Sequence, residues 1–225
     1  MHINNIHTWD IPPEQARHIQ EQYRQYVIQV DSFESIKIIA GVDVGIVHKD
    51  NKVRAAAVLL TYPDLKQIEI RTAISNATFP YIPGLLSFRE IPVLLLALEQ
   101  LTYEPDIIIV DGQGIAHPRR FGLASHLGVL CNKPTIGVAK TRLIGNYQPV
   151  PDETGMWQPL IDQNEMIGAV LRTRQGVKPI FVSVGHRISL HSAIQVITSC
   201  VKNYRLPEPT RIAHQYASKI SEDVL

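Results

Sequence analysis

Asp43 lies in Ala40-Gly41-Val42-Asp43-Val44-Gly45, an apolar run suited to the inside of a sheet. An unpaired carboxylate buried there is costly, and a bound cation would offset the cost. Two further acids stand at informative places: Glu90 ahead of a leucine-rich run, and Asp111 directly after Ile107-Ile108-Ile109-Val110. Brought to one point, these side chains would hold a hard divalent cation, which selects oxygen ligands. The competing reading of Asp43 is a structural aspartate in a turn. Gly41 and Gly45 leave room for a ligand or for another backbone, or else mark a bulge.

Glu90 has two readings. Ser87-Phe88-Arg89-Glu90 matches a helix capping box, which taken alone is favoured. Pro92 would remove a bond inside a helix begun at Phe88, so a start close to Pro92 would leave Glu90 free to face the sheet. His214, in Arg211-Ile212-Ala213-His214, is a lone helical histidine among the chain's 9, so spacing does not single it out. Lys140, just past Thr135–Ala139, places a positive charge on the same rim as Asp111. Arg119, Arg120 and Arg142 read as solvated surface. The turn from Asp111 to Arg120 contains glycines and runs into a helix whose N-terminal amides suit a phosphate. It has the spacing of neither a Walker loop nor a dinucleotide fingerprint, which disfavours a nucleotide cofactor.

The elements that must position these residues follow from periodicity. Pro12 to about Val30 reads as an amphipathic helix. Ile36–Val47, Val53–Tyr62 and Gln67–Ile74 read as strands joined by short polar turns, His48 to Asn51 and Pro63 to Leu65, hence antiparallel neighbours. A proline- and glycine-punctuated loop, Phe79 to Gly84, precedes a helix from about Phe88 to Leu101. The unbroken apolar run Ile107–Val110 predicts a strand buried on both faces, and a crevice beyond its carboxyl end is where open α/β sheets bind ligands. A helix at Phe121–Leu130 and a strand at Thr135–Ala139 continue the alternation, which calls for parallel pairing. Ile167–Thr173 and Pro179–Val184 read as a hairpin across Arg174-Gln175-Gly176, and helices near Leu190–Tyr204 and Pro209–Ile220 close the pattern. Pro149–Asp162 reads as acidic and irregular, and the sequence assigns it no role.

With 45% hydrophobic residues in 225, a single domain over 1–225 is the expectation. The formal net charge of +1 argues against polybasic binding to nucleic acid or lipid, so any phosphate-binding surface is local. Cys131 and Cys200 lack metal-like spacing and read as packed thiols, which fits a reducing cytoplasm. No apolar run approaches the ~20 residues that span a bilayer, and no secretory signal pattern opens the sequence, so a soluble protein with no membrane partner is expected.

Four segments together resemble the endonuclease V family of inosine-directed repair nucleases: Gly41 to Val44, Pro80 to Glu90, Asp111 to Arg119 and Gly137 to Lys140. The resemblance runs from about residue 10 to 220. It implies a ribonuclease H-like α/β fold with a mixed central sheet, three antiparallel strands then parallel βα units, flanked by helices. It also implies Mg²⁺, with Mn²⁺ substituting, and hydrolysis of the second phosphodiester bond 3′ to deoxyinosine, leaving 3′-hydroxyl and 5′-phosphate ends. By the same likeness Asp43, Glu90 and Asp111 are catalytic carboxylates and metal ligands, His214 joins the metal site, and Lys140 neutralises charge near the scissile phosphate. Tyr81, with Pro80, Ile82 and Pro83, forms a wedge against DNA, His117 contacts DNA, and Gly84, Gly112 and Gly122 shape a hypoxanthine pocket. The residues themselves also allow Tyr81 to be a loop aromatic covering the core edge. A monomer acting on single- or double-stranded inosine DNA is the implied working form, with inosine in RNA as a second candidate substrate. Outside that assignment stand a related nuclease of other specificity and a binding module with an inactive metal site.

Overall fold

The computed structural model describes residues 3–4, 6–47 and 51–218. Helix α1 (Pro13–Tyr23) opens the order, followed by β1 (Ile38–Val47), β2 (Lys52–Thr61), β3 (Gln67–Asn76), α2 (Leu86–Leu98), β4 (Ile107–Asp111), α3 (Leu123–Cys131) and β5 (Thr135–Ala139). Strands β6 (Trp157–Asp162), β7 (Glu165–Leu171) and β8 (Ile180–His186) and helices α4 (Leu190–Ser199) and α5 (Glu208–Ala217) complete it. The eight strands form one sheet in the order β3-β2-β1-β4-β5-β8-β7-β6. β1, β2 and β3 form the expected antiparallel meander, and β1–β4 and β4–β5 are parallel. β8 runs antiparallel to β5, and the expected hairpin of β7 and β8 is present.

Side chains of β4 alternate between two cores, as period two requires. Ile107 and Ile109 join the cluster that includes Ile194, Ile197 and Ala213 of α4 and α5, whereas Ile108 and Val110 join Ile91, Leu94 and Leu127 of α2 and α3. With helices on both faces, a central strand has no solvent side, and this explains why β4 carries no polar residue before Asp111.

The structure departs from the sequence reading in several places. α1 stops at Tyr23 and gives way to a 3₁₀ turn, Arg24–Tyr26, because the following chain is drawn onto the sheet end. There the Ile28 amide donates to His186 Nδ1 and its carbonyl accepts from the Arg187 amide. Pro149–Asp162 is not wholly irregular, since Trp157–Asp162 is the edge strand β6, paired with β7 across Gln163 and Asn164 at positive φ. Helix α4 ends at Ser199, short of the expected Tyr204. Most of the turn expected at His48 to Asn51, and the end of the last helix at Ile220, lie outside the described residues.

Gly41 and Gly45 serve the close approach of another backbone. A Cβ at Gly41 would overlap the Pro209 backbone, and one at Gly45 would overlap the Ala217 carbonyl. Helix α5 therefore lies flat along β1, anchored at both of its ends, and this lays its middle over Asp43.

Candidate metal centre

Parallel register sets the centre. Val42 pairs with Val110, so Asp43 and Asp111, one residue further along each strand, emerge side by side. β4 ends there while β1 continues against β2 to Val47, and the parting strands open a crevice at their carboxyl ends. Helix α5 adds His214, whose Nδ1 stands 2.6 Å from Asp43 Oδ2. Asp43 Oδ1 accepts from the Val44 amide at 2.8 Å. Ligand atoms of Asp43, Asp111 and His214 all lie within 4.8 Å of one another.

The charge balance favours a cation. Burial, then the nearby Asp111 carboxylate, push the Asp43 carboxyl up to about 6 despite the His214 contact. Glu90 is pushed up to about 8, first by burial and then by Asp43 and Asp111. Lys140 Nζ answers part of this, 2.7 Å from Asp111 Oδ2. The Asp43 and Asp111 carboxylates with the His214 imidazole are a donor set for a hard or borderline divalent ion, whose charge would offset the burial that raises Asp43 and Glu90. Glu90 lines the same cavity but is not a member of the mutually close group of three.

The Glu90 capping box is not formed. The N-cap of α2 is Leu85, with no side-chain cap, and Ser87 Oγ is buried without a partner. Pro92 sits inside the helix, not at its start. Its ring withholds one backbone donor while the helix continues through it.

The crevice opens into a cavity of about 680 Å³. Its lining brings Asp43, Glu90, Asp111, Lys140 and His214 together with Tyr81, Pro83, Gly84, Gly112, Gly122 and His117. Pro80 and Ile82 are not among the lining residues, and Ile82 packs instead with Phe79, Leu85 and Phe88. Tyr81 is 65% exposed, so it covers no core. His117 is buried, and both ring nitrogens are used inside the protein. The Arg119 amide donates to Nδ1, which leaves the proton on Nε2 to donate to the Gly84 carbonyl. His117 thus braces the loop and does not stand open to solvent.

Two arginines read from sequence as solvated surface are structural. Arg119 bonds the Gly84 carbonyl and Gln20. Arg120 pairs with Asp162 at 2.9 Å and Glu165 at 2.7 Å, tying the β6–β7 hairpin to the connection after β4. Arg89 fastens the start of α2 to the Phe79 carbonyl and to Asn51.

The family model for endonuclease V matches residues 21–215. The chain belongs to the endonuclease V family. Endonuclease V of Trichormus variabilis is 54% identical over 219 residues, covering 97% of this chain and 99% of that one. The crystal structure of endonuclease V from Streptomyces avermitilis superposes with a TM-score of 0.88 at 44% identity, covering 93% of this chain and 92% of that chain. Ciona intestinalis endonuclease V, solved with a 24mer DNA containing an inosine followed by a ribo-adenosine, gives 0.79 at 31% identity over 91% and 95% of the two chains. The sheet and its flanking helices are thus the ribonuclease H-like fold of endonuclease V, and the chain is a nuclease. Among the described residues, no helix is long and apolar enough to cross a membrane.

Proposed function

We propose that this endonuclease V nicks DNA at the second phosphodiester bond 3′ to deoxyinosine, leaving 3′-hydroxyl and 5′-phosphate ends, with Mg²⁺ or Mn²⁺ as its ion. The observation that carries the reading is the junction of two features: a close group of two carboxylates and an imidazole that could hold a metal ion at the strand ends, and a cavity lined by that group together with an exposed tyrosine. A flipped purine needs a closed pocket, and the nick needs a metal centre within reach of the backbone. The Ciona relative was solved with inosine-containing DNA.

Asp43, Asp111 and His214 would hold the ion, with Glu90 as a further carboxylate on the same cavity. When bound, such an ion supplies an activated water and charge stabilisation for the departing 3′ oxygen. Lys140, already against Asp111, adds a cation where phosphate charge accumulates. Tyr81 fills the gap left by the extruded base, and stacking there offsets part of the unstacking cost. Gly84, Gly112 and Gly122 line the cavity that would take the base, and the lack of a Cβ at Gly122 lets it close on the Gln113 and Gly114 carbonyls.

Cleavage mapping on matched strands with inosine or adenine tests the reading. One inosine-dependent nick at the second 3′ bond, requiring divalent ion, is expected, and equal cutting of the undamaged strand would overturn it. Tyr81→Ala is expected to lower the inosine-to-adenine cleavage ratio by about tenfold, the scale of one aromatic stacking contact. The metal-induced shift in melting temperature should stay unchanged, and intact discrimination in that variant would remove the wedge. The ribo-adenosine in the Ciona complex makes inosine in RNA the second reading, separated by the same assay on RNA strands.

A further inference from the structure

The connection between α1 and the cavity is more specific than packing requires. Ala16 and Ile19 of α1 pack with Phe79, Leu85 and Phe88, on both sides of the loop that carries Tyr81. Next to Ile19 stands Gln20, an amide only 1% exposed. Its Nε2 donates to two carbonyls, Gly84 and Phe121, each at 3.1 Å. Its Oε1 accepts from Arg119 Nε at 2.6 Å. Both hydrogens and the oxygen are thus used, the last in a charge-assisted bond.

The two carbonyls belong to two segments, distant in sequence, that each contribute a lining residue to the cavity, Gly84 and Gly122. Gly84, held at φ +79°, ends the tyrosine loop, while Phe121 immediately precedes Gly122, the N-cap of α3. The Gly84 carbonyl also accepts from His117 Nε2 at 2.9 Å and Arg119 Nη2 at 2.8 Å. Three donors on one carbonyl fix that peptide far more firmly than packing alone, and a fully satisfied buried network specifies one geometry. An apolar residue would fill the same space without setting a distance.

We propose, building on the reading above, that Gln20 is a positioning residue for base discrimination: its amide bridges the Gly84 and Phe121 carbonyls and so sets the separation of the two walls between which the everted base is held. Gln20 lies just ahead of the stretch matched by the family model. Its side-chain hydrogen bonds go to Gly84, Phe121 and Arg119, none of them a candidate metal ligand, so it acts through the walls. Wider or unsteady walls admit ordinary purines more evenly, so selectivity falls while the metal centre stands.

Two variants test this. Gln20→Met keeps the volume and removes all three bonds; Gln20→Glu keeps the acceptor for Arg119 and sets an oxygen against both carbonyls. In the DNA-free protein, both are expected to speed hydrogen exchange at amides of 82–88 by about tenfold while β1 and β4 are unaffected. Both should lower the inosine-to-adenine ratio of kcat/KM by about tenfold, the scale set by losing buried hydrogen bonds. The Mn²⁺-induced rise in melting temperature should match that of the unaltered protein. Unchanged exchange or unchanged selectivity in the two variants would overturn the role, as would parallel loss of selectivity and of the Mn²⁺ response, which marks a general structural defect. If the unaltered protein itself cut inosine and adenine strands alike, the functional reading would fall, whatever the exchange data showed.

Discussion

Asp43→Ala is expected to reduce nicking by at least about a thousandfold, because losing several kcal/mol of metal-derived stabilisation costs a factor of ten per 1.4 kcal/mol. Affinity for an inosine duplex should stay within about threefold, since phosphate and base contacts elsewhere carry binding. The reason lies in what Asp43 does in the centre. It is the acid flanked by both of the other close ligands, bonded to His214 and adjoining Asp111. Removing it leaves Asp111 committed to Lys140, and His214 without its orienting carboxylate. The variant should fold as well as its parent, because a buried carboxyl with a raised pKa is a burden on the metal-free protein. Its melting temperature should then no longer respond to Mg²⁺. Nicking at the parental rate would show that Asp43 is not a ligand.

Activity should also depend steeply on pH. Asp43 at about 6 and Glu90 at about 8 are protonated on the acid side of those values, and an ion must displace the protons to bind. At subsaturating Mg²⁺ the rate should climb about a hundredfold from pH 6 to pH 8, if two coupled protons leave with ion binding. Raising the Mg²⁺ concentration should move the midpoint to lower pH. Stability has the opposite sign. Both folded-state values stand above the ordinary carboxyl values of 3.8 and 4.5, so protonation favours the fold. In the metal-free protein this stabilisation is complete below about 4 and is lost as pH rises towards 8. Mg²⁺ should therefore raise the melting temperature more at pH 8 than at pH 6. A flat rate profile, or an Mg²⁺ response larger at pH 6, would contradict this electrostatic account.

Legibility in the sequence follows the range of the interactions. β4 could be read because four apolar residues in a row suit a strand covered on both faces, and Asp43 because a charge interrupts a similar run. β6 escaped because it is an edge strand. Trp157 is exposed, Pro159 interrupts the pattern and Leu160 alone is buried, so no alternation shows. Glu90 stayed ambiguous because a capping motif and a metal-binding acid use the same residue types, and the N-cap at Leu85 removes the capping box. His214 could not be singled out because its partner is 171 positions away, and the glycines that bring the two together read equally well as a bulge. Gln20 carried no local signal at all: its hydrogen-bond partners are 64, 99 and 101 positions distant, and its neighbours on α1 are mostly polar. Local pattern thus reveals what a residue must be buried in, whereas the partners of a polar side chain appear only with the fold.

The central claim is that Asp43, Asp111 and His214 meet around a divalent ion at the carboxyl ends of β1 and β4. Anomalous diffraction from crystals soaked in Mn²⁺ tests it most directly. A peak within coordinating distance of Asp43 and Asp111, with His214 beside it and Glu90 on the same cavity, is the predicted result. A peak elsewhere in the molecule, or none in crystals whose enzyme nicks inosine DNA in Mn²⁺, would contradict it.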